Sequence, residues 1–145
     1  MTIQQIIVDG LLLAILIPRD HNEDGLHFVT PDDFPQQMAY MHHPAGKLIQ
    51  PHMHCNQPKQ IYVTQEVLVL KRGRLRVDFY DADQNYLLSR VVEAGDIILL
   101  AYGGHGFCVL DEVEMIEIKQ GPYEGVESDK IKFEPTHNGE IVIET

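Results

Sequence analysis

Cysteine is nearly absent: Cys55 and Cys108 are the only two in 145 residues. Two are too few for a disulfide framework in a chain of this length, which argues against a small secreted scaffold and fits a reducing cytoplasm. Cations are scarce as well, with 11 Lys and Arg against 22 Asp and Glu and a formal charge of −11. That charge repels phosphate backbones and anionic membranes at long range, so nucleic acid is not an expected partner. Long apolar runs are missing too. The longest near the start, LLLAILIP at 11–18, is too short to span a bilayer, follows Asp9 and has no Lys or Arg before it. Neither a secretory signal nor a membrane anchor is expected from it. Internal repeats and low-complexity segments are also lacking.

What is present fits one globular domain over residues 1–145, with 44% hydrophobic residues to build a core. The patterning has mostly period two. IQQIIVDG and LLLAILIP predict two strands joined at Asp9 and Gly10, a dipeptide suited to a tight hairpin. Residues 19–35, RDHNEDGLHFVTPDDFP, are rich in turn formers and acids and predict surface loop with short extended pieces. EVLVLKRGRLRVDFY predicts a hairpin split at Lys71, Arg72 and Gly73, with Leu75, Val77 and Phe79 facing the core and Arg74, Arg76 and Asp78 facing solvent. YLLSRVVEAG, DIILLAY and two segments divided at Asp111 and Glu112 add further strands, and only 124–131 suggests a helix. Many short strands punctuated by Gly and Asp turns predict an all-β barrel or sandwich.

Within this pattern, His52 and His54 are two apart and share a face if their stretch, GKLIQPHMHC, is a strand. Glu66 stands on the face of Leu68 and Leu70, where a carboxylate must be paired or bound to a cation. Arg74 and Lys71, across the expected hairpin, are the simple ion-pair alternative. His105 follows Gly103 and Gly104 and begins an apolar row through Phe107 and Val109. Three imidazoles and one carboxylate inside a barrel suit a divalent transition metal, whereas calcium and magnesium prefer oxygen-only sets. Cys55 alternates away from His54 and reads as a buried structural thiol. Lys71, Arg72, Arg74 and Arg76 read as a solvated hairpin edge.

The order Gly46, His52, Met53, His54, Glu66 and Gly73 resembles the first cupin motif, and Gly95 with His105 resembles the second. The resemblance spans about 46–121. It departs from the usual pattern in two ways: eleven residues separate His54 from Glu66, and Ala101 stands where the second motif has proline. The long spacing leaves Gln60 or Gln65 as alternatives for the carboxylate place. The resemblance implies a cupin-like jelly-roll β-barrel with one divalent transition metal (Fe, Mn, Ni, Cu or Zn) held by His52, His54, Glu66 and His105.

GGHGF with EMIEIKQGPY is similar to a subgroup of small bacterial cupins associated with surface-polysaccharide genes, which implies a sugar derivative as the small-molecule substrate. Isomerase or epimerase chemistry is the leading expectation, with an iron-dependent dioxygenase and a non-catalytic metal- or sugar-binding cupin as alternatives. His42 and Tyr102 are the candidate general bases. A homodimer built on the two apolar N-terminal strands is expected, unless the C-terminal stretch 132–145 covers them.

Overall fold

The computed structural model describes residues 1–135 and 139–145. It contains eight strands, β1 (Gln4–Val8), β2 (Leu11–Ile17), β3 (Gly25–Phe28), β4 (Ala39–His42), β5 (Glu66–Tyr80), β6 (Tyr86–Glu93), β7 (Ile97–Leu100) and β8 (Gly104–Lys119), and a single-turn helix α1 (Val126–Asp129). The strand pairs are antiparallel throughout, and β1-β2-β7-β5-β6 run in that order with β8 on the remaining edge of β5. β3 and β4 form a separate two-stranded sheet. The large sheet curls into a half-barrel. Arg90 on β6 donates to Gln4 on β1 and reaches Glu144 near the C-terminus, which draws the two ends of the curl together.

The Asp9-Gly10 hairpin forms as expected, with φ of 50° and 79° at the two turn residues. The expected split of 66–80 into a hairpin does not occur, because β5 is one strand with an irregular stretch at 70–75 where its register with β8 shifts three times. The shift changes parity. Leu68 and Leu70 before it, and Leu75, Val77 and Phe79 after it, all enter the same buried cluster. An extra residue in a ladder bends the strand and increases its twist, so β5 keeps one apolar face while turning sharply. Gly73 is required there: its φ is +87°, and a Cβ would lie 2.1 Å from the Glu112 carbonyl oxygen on β8.

β8 is likewise continuous across Asp111 and Glu112, whose carboxylates pair with Arg74 at 2.6 Å and Arg72 at 2.9 Å. Lys71 pairs with Glu114 at 2.9 Å. Lys71, Arg72 and Arg74 are thus each matched by a carboxylate of β8, and neither Lys71 nor Arg74 is the partner of Glu66. Asp78 is buried and not solvent-facing: Arg76 holds it with both a 2.8 Å and a 3.0 Å bond, and Ser89 donates to it at 2.5 Å. A buried carboxylate requires such donors.

One face of the sheet holds Leu13, Ala14, Leu16, Ile98 and Leu100 with the β5 row. The opposite face, Ile15, Val67 and Leu99, is covered by Phe34, Val29 and Met38 from the segments around β3 and β4. β2 is therefore buried on both faces, which accounts for its unbroken apolar sequence. The C-terminal residues Val142 to Glu144 hydrogen-bond Ser89 on β6 instead of covering β1 and β2. Residues 136–138 of that stretch lie outside the described residues.

Candidate functional site

Glu66 opens β5 between Leu100 of β7 and Lys119 of β8, while His105 lies near the start of β8 opposite Phe79. In the ladder these two residues belong to opposite ends. The bend at Gly73 folds the ribbon back so that His105 Nε2 comes within 2.5 Å of Glu66 Oε1. The GGHG turn sets the imidazole in place: Gly103 has φ +78°, and a Cβ there would meet the Tyr80 carbonyl oxygen at 2.4 Å.

The pair lines a cavity of about 550 Å³, together with Tyr80, Phe107, Glu117 and Phe133. The Glu66 side chain is 10% exposed and that of His105 31%. Burial alone would push the Glu66 carboxyl up, but hydrogen bonds with His105 and Glu117 and the nearby charges of His105 and Lys119 hold it down to about 2. Glu117 moves the other way, raised chiefly by its hydrogen bond to Glu66, then by burial and by the Glu66 charge. Of the two carboxyls, Glu117 therefore holds a proton more readily than Glu66. Lys119 is tied to Asp129 of α1 at 2.9 Å and stands 5.5 Å from the Tyr123 ring.

Of the four expected metal ligands, Glu66 and His105 are brought into contact. His52 and His54 sit in 43–65, a segment without regular structure, and both are exposed. Their rings lie 5.4 Å apart, and His52 Nδ1 is 2.9 Å from the Gln50 carbonyl. The expected strand does not form there, and Pro51 and Pro58 cannot donate to a ladder. Cys55, expected buried, is exposed for the same reason. Gln60 is exposed too, while Gln65 is fully buried but on the face away from Glu66.

Phe107 and Val109 stand opposite buried Val77 and Leu75 yet are exposed; among the described residues β8 is an edge strand with no neighbour beyond β5. His42 Nδ1 faces Asp24 at 3.2 Å, and Tyr102 stacks edge-on against Phe34 at 5.6 Å; neither lines the cavity. Glu117 went unnoticed in the sequence, where it looks like one acid of the exposed alternation EMIEIK. Its signal lies in pairing: Glu117 is opposite Leu68, on the face of Glu66.

No family model, curated protein or solved structure matches the chain. Fold and site therefore define its class: a nearly all-β half-barrel with a carboxylate and an imidazole joined in its cavity. No helix among the described residues is long and apolar enough to cross a membrane. No three His, Cys, Asp or Glu side chains among those residues already surround a metal-sized point. The donor chemistry of Glu66 and His105 fits a transition metal, and His52 and His54 would have to reach them from the exposed segment to complete the set.

Proposed function

We propose that the chain is a metal-dependent cupin-like enzyme acting on a small polar molecule, with isomerase or epimerase chemistry on a sugar derivative. The observation that carries this reading is the 2.5 Å contact of Glu66 with His105 inside the cavity. Glu66 and His105 would hold the metal as the fixed half of the site, with His52 and His54 as the half delivered by 43–65. The metal would supply Lewis-acid polarisation of a substrate carbonyl or hydroxyl.

The chain's own residues do the rest. A cavity of about 550 Å³ lies in the size range of small-ligand pockets. Phe107 and Phe133 offer apolar faces for a sugar ring, and Glu117 offers a carboxyl that can accept from a hydroxyl or move a proton. Lys130 and Lys132 line the rim, where they suit an anionic substituent. Glu117 also orients Glu66 through their hydrogen bond.

A second reading is proton transfer by His105, Glu66 and Glu117 without metal, favoured by the contact of all three in one cavity. Exchange of substrate C–H with deuterium, measured over a panel of sugars, sugar phosphates and nucleotide sugars, tests both. The metal-dependent reading predicts exchange that is lost on chelation, regained with zinc or nickel and weakened in Glu117→Gln. Exchange that survives chelation selects the second reading. Binding without exchange under any metal overturns the enzyme and leaves a ligand-binding protein.

A further inference from the structure

β8 is paired with β5 along its length, and among the described residues nothing pairs with its outer edge. The other edges of the large sheet are short or covered. β1 has five residues with a register shift after Ile6, and β6 receives Val142 to Glu144 at Ser89. β8 offers sixteen residues. Apolar side chains stand exposed on both of its faces, with Phe107, Val109 and Met115 on one and Ile116 and Ile118 on the other. Free charge or proline usually blocks such an edge, but Asp111, Glu112 and Glu114 are already paired with cations of β5.

A strand-forming run without a ladder lies elsewhere in the same chain. Every residue of 44–64 is exposed. The last six, KQIYVT at 59–64, contain no proline and carry β-branched and aromatic side chains, with Ile61 44%, Tyr62 90% and Val63 38% exposed. All 22 carboxylates of the chain lie outside 34–65, which holds Lys47 and Lys59. Pairing of β8 with a second β8 would bring the acids at 111, 112 and 114 of two copies together. An acid-free run meets that edge without like-charge opposition.

The run cannot reach the edge within its own molecule. A strand added to β8 lies two strand spacings, about 9.5 Å, from β5. Thr64 is two residues before Glu66, the first residue of β5, and two residues span at most about 7 Å. Open edge and unpaired run therefore meet only between molecules. We propose that residues 59–64 of one copy add as a strand to the outer edge of β8 of a second copy, reciprocally, in a two-fold dimer. Addition of a strand to an open edge and exchange of an identical element are both established routes to association. Ile61 and Val63 alternate onto one face, where they extend the apolar row of Ile116 and Ile118, while Pro51 and Pro58 stay outside the ladder. The interface lies on β8 and not on the N-terminal strands.

Sedimentation of the full-length protein at micromolar concentration with EDTA present tests this without any contribution from metal. The wild type should run as a dimer. A run variant, Ile61→Lys with Val63→Lys, and an edge variant, Ile116→Lys with Ile118→Lys, change side chains that are exposed in the single chain, so their far-ultraviolet circular dichroism should match the wild type. Each should raise the dimer dissociation constant about tenfold or more. An equimolar mixture of the two should associate more strongly than either alone, because the intact run of the edge variant fits the intact edge of the run variant. A monomeric wild type, a run variant that dimerises as tightly as the wild type, or a mixture no more associated than its components would each overturn the proposal. Weakening by the edge variant alone would also overturn it and assign the contact to β8 against β8. If the edge variant loses its fold, the run variant, altered outside the sheet, decides alone.

Discussion

Replacing Gly73 by Ala should damage the fold, because Gly73 sits where β5 bends against β8. An L-residue at φ +87° costs about 1–2 kcal/mol. The added methyl would also lie 2.1 Å from the Glu112 carbonyl oxygen and 2.8 Å from its carbon. These are backbone atoms, so no rotamer change relieves the clash and β8 must move off β5. Separation endangers the Arg72–Glu112 and Arg74–Asp111 pairs and the 3.2 Å bond from Ala94 N–H to the Gly73 carbonyl. A lost hydrogen bond costs about 1 kcal/mol, which with the conformational term brings the total to roughly 2–3 kcal/mol before the clash is counted.

Gly10→Ala is the control. Its φ is +79° and nothing lies within 4 Å of the added Cβ, so it carries only the conformational term of about 1–2 kcal/mol. Urea unfolding at pH 7 should place Gly73→Ala at least about 1 kcal/mol below Gly10→Ala. Equal stabilities within about 0.5 kcal/mol would refute the argument that close approach of β5 and β8 at Gly73 shapes the half-barrel.

In metal-free protein, Glu66 titrates at about 2 against an ordinary 4.5, so its contribution is fully present above pH 4.5 and drains away as pH falls toward 2. At ~1.4 kcal/mol per unit this amounts to at most about 3–4 kcal/mol, which solvent screening reduces. Glu66→Gln should flatten that part of the acid-stability curve; an unchanged slope contradicts the His105 contact. Glu117, whose carboxyl is raised, has the opposite sign, so Glu117→Gln should be neutral or stabilising at pH 7 by chemical denaturation. Leu75→Ala, at a position with 0% exposure, should cost about 2–5 kcal/mol in the same assay.

Local chemistry made part of this legible. Asp9-Gly10 declares a tight hairpin on its own, and Glu66 stands out as one carboxylate in an apolar row. Lys71-Arg72-Gly73 has the composition of a turn, but a turn and a bulge draw on the same residues. Only β8, thirty or more residues later, decides that the chain continues. His52 and His54 invite a strand by spacing, while Pro51 and Pro58 argue against one and nothing local weighs the two. Glu117 became visible only through its register with Leu68.

The metal content of protein purified without added metal or chelator tests the central claim most directly. The account predicts a divalent transition metal bound through Glu66 and His105, so that Glu66→Gln and His105→Ala, and also His52→Ala, each hold about one equivalent less than the wild type. Affinity should fall as the pH drops from about 6.5 toward 5, since imidazole binds metal only when neutral. Metal content equal to the wild type in both Glu66→Gln and His105→Ala, with their folds intact, would contradict it.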